Sequence, residues 1–264
     1  MRHDPARSGD ETGSAQTADP RETRSGVEGL LPQKLLLPSG LEIAHHYRPA
    51  GDATRVGGDW YDVIPLMDGR VTLVMGDAMG HGTTAAAAMG QLRAAARTLA
   101  RRGVPPDEML RRLDLAAQEM AAAQFATCVA ATYDPAAGRA LVSRAGHVPP
   151  ILVRPRGTSR VLTLPPGLPL GIGGAAFEAV EVRVPEGSTL VLYTDGLVES
   201  RERDMDTGIA SLRATLARCS GPLQDACDAI VTELSRTPEE GRGEDRGEDD
   251  VALLLVRSRG RSAK

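Results

Sequence analysis

The chain has 264 residues, 41% of them hydrophobic but only 3% aromatic, and a formal net charge of −4. That much apolar material can form a core, which must be built from Ala, Val, Leu and Ile rather than rings. The acidic balance excludes a basic footprint for nucleic acid or an anionic membrane, and no apolar run approaches the roughly 20 residues of a membrane span.

In chain order, residues 1–26 are polar and lack apolar periodicity, which predicts a disordered leader. Residues 27–40 hold an apolar stretch broken by Pro32, read as a short N-terminal segment. Strands are expected over 41–47, 59–66 and 70–77, with the MDG turn at 67–69 joining the last two. The Ala-rich, Pro-free run 83–102, stopped by Gly103, predicts a long helix, and Pro106 opens a second that should run to about Ala123. Strands return over 126–133, 139–144, 151–154, 160–164, 178–184 and 189–194. Helices are expected over about 208–219 and 222–235, then a final strand over 251–256. Two helix pairs set between runs of hairpin-linked strands predict an α+β fold of largely antiparallel sheets. No linker signal interrupts the interior, so 41–257 is read as one domain, with 258–264 as a disordered tail. Cys128, Cys219 and Cys227 form no CxxC pair, which argues against a disulfide framework or a zinc site and for a cytoplasmic location.

Carboxylates recur where apolar strands meet turns. Asp59 and Asp62 lie in GGDWYD, Asp77 in VMGDAMGHG, Asp195 in LVLYTDGLVE, and Asp249 and Asp250 in DDVALLLV. Any single Asp before Gly reads as a turn residue. If these ends converge, however, their charges need a cation, and an oxygen-only set favours Mg²⁺ or Mn²⁺ over zinc. GDAMGHG fits neither common phosphate-loop pattern. His81 has no second His at ligand spacing and reads as a turn or phosphate-contact residue. His147 in RAGHVPP reads as a structural hydrogen-bonding residue, Trp60 as core, and the LPPGLPLG loop (164–171) as a rigid connection.

The tail repeats RGED, at 242–245 and again at 246–249, before the apolar run that starts at Val251. A carboxylate that works must be held by that strand. The second copy is therefore the functional candidate, with Asp249 the first choice and Asp250 the alternative, and the first copy reads as mobile loop.

Together, GGDWYDV, VMGDAMGHG, RAGHVPPILV, GLPLG, LYTDGLVE and DDVALLLV resemble the SpoIIE/RsbU-type branch of the PPM (PP2C-like) serine/threonine phosphatases over roughly residues 30–257. The resemblance implies an αββα sandwich, two antiparallel sheets flanked by pairs of helices. It also implies two Mn²⁺ or Mg²⁺ ions and hydrolysis of phosphoserine or phosphothreonine. Carried onto this chain, Asp77 would bridge the ions and the Ala78 carbonyl would bind one. Asp195 and Asp249 would complete the other shell, with Asp59 acting directly or through water. No arginine stands where eukaryotic relatives grip phosphate; Arg55, one residue away, is the substitute candidate. The expected substrate is a STAS-domain anti-sigma-factor antagonist, with regulation by a separate activator protein or by the segment 27–37. Two other functions remain open at this point: a PP2C-like binding module without turnover, and a phosphatase for small phosphorylated metabolites.

Overall fold

Side-chain alternation along strands buried on both faces decides the layering. In β2 (Asp59–Pro65) and β3 (Val71–Ala78), Tyr61, Val63, Val71, Leu73 and Met75 face one cluster while Trp60, Ile64, Val74 and Ala78 face another. β10 (Val251–Ser258) behaves alike, with Ala252, Leu254 and Val256 on one side and Val251, Leu253 and Leu255 on the other. The computed structural model, which describes residues 40–50, 57–80, 82–120, 125–234 and 249–259, resolves this pattern into four layers.

The remaining strands are β1 (Leu41–Arg48), β4 (Ala126–Asp134), β5 (Arg139–Ala145), β6 (Ile151–Val153), β7 (Ser159–Val161), β8 (Val180–Arg183) and β9 (Thr189–Tyr193). One sheet has the order β1-β10-β9-β6-β7 and the other β2-β3-β4-β5-β8, and neighbouring strands are antiparallel throughout. Between the sheets lies a core of Leu, Val and Ala with Tyr61 and Tyr133 at its margins. Each buried Leu or Val there contributes about 1.5–3 kcal/mol of transfer free energy.

Helices α1 (Thr83–Arg101) and α2 (Pro106–Gln118) cover the second sheet. The buried stripe of α1, Ala85, Ala88, Met89, Leu92, Ala96 and Ala100, follows helical spacing, and the small residues bring the helix close to the strands. Gly103, at φ 71°, ends it by donating to the Ala100 carbonyl. α2 begins with Pro106 at its first position and Asp107 and Glu108 in its first turn, which suits the positive end of the helix dipole. On the other sheet lie α3 (Asp195–Val198), α4 (Met205–Arg218), capped by the Asp204 carboxylate, and α5 (Leu223–Leu234).

The αββα sandwich expected from the sequence is therefore the fold. Two details differ. α2 stops at Gln118 rather than near Ala123, because its last turn tightens and Met120 donates to the Ala117 carbonyl instead of continuing the ladder. Asp195 does not end a strand but opens the one-turn helix α3.

Asp62 points away from the inter-sheet layer. Fully buried, it accepts from Arg97 Nε at 2.9 Å and pairs with Arg93 at 3.4 Å, both arginines coming from α1. It fastens helix to sheet. Removing it would leave two cations facing a hydrophobic layer, so Asp62→Ala should lose about 3 kcal/mol in urea denaturation. Turnover per folded molecule should remain near that of the parent chain.

Candidate functional site

Register brings the acidic residues together. Asp59 and Asp77 are direct partners across β2 and β3, on the inter-sheet face that Tyr61 and Met75 share. From the opposite sheet come Asp195, which follows β9, and Asp249 and Asp250, which precede β10. β9 and β10 are adjacent and antiparallel, so the end of one meets the start of the other. Thr194 joins the halves: its hydroxyl donates to Asp59 Oδ2 at 2.7 Å and accepts from the Ala252 amide at 2.9 Å.

Three glycines permit the close approach. A Cβ on Gly58 would stand 2.2 Å from the Ala78 carbonyl oxygen, and one on Gly57 would stand 2.2 Å from the Asp250 carboxylate. A Cβ on Gly196 would meet the Asp250 carbonyl oxygen at 2.2 Å. In GGD and TDG, then, the glycines make room where the sheets join, and Gly58 also accepts from the Ala78 amide at 3.1 Å.

The two acidic residues of the tail have different surroundings. Asp250 is buried, and its two carboxylate oxygens accept from the Ala50 amide at 2.7 Å and the Gly58 amide at 2.6 Å. Asp249 is exposed, and among the described residues its carboxylate accepts the adjacent Asp250 amide at 2.8 Å and no other.

Electrostatics shows that the group shares one region. Burial first, then repulsion from Asp195, Asp249 and Asp250, pushes the Asp77 carboxyl up to about 7. Asp59 is raised well above the usual carboxylate range by burial, then by Asp77, Asp250 and Asp195, against the opposing Thr194 hydrogen bond. Asp249 is raised by burial, then by Asp195, Asp250 and Glu199. The Tyr47 phenol is raised by burial and by the same Asp250 and Asp59 charges. Among the described residues, every charged group acting on the Asp59, Asp77 and Asp249 carboxyls is itself a carboxylate.

Among the described residues, no three His, Cys, Asp or Glu side chains are drawn together tightly enough to hold an ion as they stand. The donor chemistry nonetheless fits a hard divalent cation: all the donors are oxygen, they come from the adjoining strand ends of the two sheets, and among the described residues no cation acts on Asp59, Asp77 or Asp249. Two surface clefts, of ≈ 290 and ≈ 300 Å³, lie elsewhere, one lined by Arg70, Val104 and Arg139 and the other by Thr215, Asp225 and Glu233.

Of the other residues singled out in the sequence, Trp60 is fully buried in the layer under α1 and α2. His147 is buried between the sheets. Arg55 and His81 lie outside the described residues, as do the segments 1–39 and 235–248. The loop 164–171 is held by Arg144, which donates to the Leu164 and Pro165 carbonyls, and by the Asp114 carboxylate, which accepts the Gly171 amide. Thr194, Tyr47, Glu199 and Thr127 were not singled out. Thr194 and Glu199 at least stand inside a recognisable motif, YTDGLVE, whereas nothing local marks Tyr47 or Thr127.

A family model described as Stage II sporulation protein E (SpoIIE) matches residues 67–259. The chain is 25% identical over 151 residues to phosphoserine phosphatase RsbU of Bacillus subtilis, covering 56% of this chain and 45% of that protein. It spans less than half the length of the curated relatives it matches. The crystal structure of the RsbU and RsbW domains of Rv1364c from Mycobacterium tuberculosis superposes with a TM-score of 0.74 at 31% identity, covering 85% of this chain and 61% of that one. The PP2C phosphatase domain of SpoIIE from Bacillus subtilis, with a fragment of its regulatory domain, superposes with a TM-score of 0.70 at 16% identity, covering 84% of this chain and 64% of that one. The motifs, the layer order and a match over most of the described core agree: this chain belongs to the SpoIIE family, with the PP2C-like fold.

Proposed function

We propose that the chain is a metal-dependent protein serine/threonine phosphatase. Its substrate on this reading is a phosphorylated STAS-domain anti-sigma-factor antagonist in a partner-switching circuit. The observation that carries the reading is that Asp59 and Asp77 are cross-strand partners on the inter-sheet face while Asp195, Asp249 and Asp250 stand at the adjoining ends of β9 and β10, with Thr194 bonding the two halves. Similarity to a protein named phosphoserine phosphatase, and to a structure containing RsbU and RsbW domains, supports the substrate class.

Asp77, Asp59, Asp195, Asp249 and the Ala78 carbonyl would hold two Mn²⁺ or Mg²⁺ ions. When bound, such ions supply an activated water and neutralise charge on the phosphoryl oxygens. In the net reaction, water adds to phosphorus, the bond to the serine or threonine oxygen breaks, and that oxygen takes up a proton. The chain's own contribution is orientation. Thr194 holds one oxygen of Asp59, and Asp250 ties Gly58 and Ala50 to the start of β10 by accepting one amide from each. Asp77 and Asp59, raised in the metal-free chain, should release protons as a cation binds. Arg55 and His81 are the phosphate-contact candidates.

The purified chain with Mn²⁺ should hydrolyse an aryl phosphate and release phosphate from a phosphorylated STAS-domain protein, and chelation should stop both. If neither Mn²⁺ nor Mg²⁺ supports any turnover, the chain is a binding module instead. Turnover of small phosphate esters with none of the phosphoprotein would move the substrate to metabolites.

A further inference from the structure

The carboxylates come in two halves on different sheets. Asp59 and Asp77 belong to the β2-β3-β4-β5-β8 sheet, and Asp195, Asp249 and Asp250 adjoin strands of the other. Their separation depends on what fixes one sheet against the other at this edge, and apolar packing alone sets such distances loosely. A polar tie at the same edge would set them more tightly.

Such a tie is present. The segment following β5 crosses from one sheet to the other, and His147 lies at the crossing, buried. Its Nδ1 is 2.7 Å from the Thr127 hydroxyl and its Nε2 is 3.1 Å from the Tyr193 carbonyl. A carbonyl can only accept, so Nε2 carries the proton and Nδ1 accepts from Thr127. Burial holds the ring neutral, with its pKa down to about 4, which suits this donor-and-acceptor arrangement. Thr127 is the register partner of Asp77 across β3 and β4. Tyr193 immediately precedes Thr194, which holds Asp59, and Asp195. The ring thus connects the strand position beside one set of carboxylates to the backbone that leads into the other. Its own backbone is fixed by Arg144, which donates to the His147 carbonyl at 2.8 Å, and Tyr193 adds a second tie by donating its hydroxyl to the Pro149 carbonyl at 2.9 Å.

We propose that His147 is a positioning residue which, through Thr127 and the Tyr193 carbonyl, sets the distance between the Asp77 and Asp195 halves of the carboxylate set and thereby the cation affinity of the site. This inference rests on the phosphatase reading above. It assigns His147 no contact with substrate or with the reacting atoms.

The test is calorimetric titration of the metal-free chain with Mn²⁺, which reads binding without turnover. Thr127→Val keeps the side-chain shape and removes only the hydroxyl that the ring accepts. His147→Gln puts its amide NH2 where Nε2 meets the Tyr193 carbonyl, and its one acceptor, the amide oxygen, no longer stands at the Nδ1 position that faces Thr127. Each should weaken Mn²⁺ binding by about tenfold or more, the range found when groups that orient ligands are removed. The double variant should be little worse than either single one, since both break the same connection. If His147→Gln does not fold, Thr127→Val decides alone. Variants that melt earlier but bind Mn²⁺ as the parent does would overturn the proposal and leave the phosphatase reading standing. A parent chain that binds no Mn²⁺ would overturn both.

Discussion

Asp77→Asn should abolish Mn²⁺-dependent turnover while making the metal-free chain harder to melt at pH 8. The first effect follows from its place beside Asp59 at the centre of the acidic group. Groups that merely orient a metal ligand cost 10–100-fold when removed, so loss of a proposed ligand should cost at least about 100-fold. The second follows from linkage. The Asp77 carboxyl is near 7 in the folded metal-free chain, against about 4 when unfolded. A raised carboxyl stabilises the fold fully below pH 4, and that contribution is lost as pH rises through 7. At pH 8 the buried charge is a net penalty of a few kcal/mol, which the asparagine removes. Melting temperature without metal should rise by about 5 °C or more. His147 titrates in the opposite sense, its contribution being lost as pH falls from about 6.5 through 4, so the comparison must be the variant against the parent at each pH. Scanning calorimetry in EDTA at pH 5 and pH 8 checks this: the gain should appear at pH 8 and shrink at pH 5. An equal change at both would mean that Asp77 carries no such charge burden.

The adjacent residues Asp249 and Asp250 should fail in different ways when truncated. Asp250→Ala leaves the Ala50 and Gly58 amides without their acceptor, at about 1–3 kcal/mol for each buried donor, and should lower stability by about 3 kcal/mol whether or not metal is present. Asp249→Ala removes an exposed carboxyl that has one local contact and is repelled by its acidic neighbours, so metal-free stability should not fall. Its Mn²⁺ affinity and turnover should collapse nonetheless. Asp245→Ala, in the first RGED copy, should leave both unchanged. Urea denaturation in EDTA, paired with a Mn²⁺ titration of activity, separates these outcomes. If Asp250→Ala kept full stability and lost only metal binding, the assignments of the two neighbours would have to be exchanged.

The architecture was legible because its signals are local. Alternating apolar residues marked the strands, Gly103 and Pro106 marked where one helix stops and the next starts, and the repeated motif order pointed to the sandwich. The end of α2 was not legible, since no Gly or Pro follows Gln118 before Ala126 to mark the turn in which Met120 donates to the Ala117 carbonyl. At the candidate site, the carboxylates could be picked out because each sits where an apolar run breaks at a turn. Their supports could not be. Thr194 reaches Asp59 across 135 residues, and Asp250 reaches Gly58 across 192, contacts that exist only once the two sheets are docked. The division of labour between Asp249 and Asp250 is invisible in DDV for the same reason, because it depends on which of them meets the Gly57–Gly58 turn.

The strand order carries a consequence for biosynthesis. Among the described strands, β1 lies at an edge with β10 as its one sheet neighbour, although it is made more than 200 residues earlier. Until Ser258 has cleared the ribosome, β1 has no strand to pair with and β9 lacks one of its two neighbours, so a nascent chain can complete the β2-β3-β4-β5-β8 sheet well before the other. On the phosphatase reading, a nascent chain that still lacks β10 would have no turnover. A fragment ending at residue 248, mixed with a peptide spanning residues 249–259, should on the phosphatase reading gain turnover only as the peptide is captured, so that the arrival of β10 is the step that completes the site.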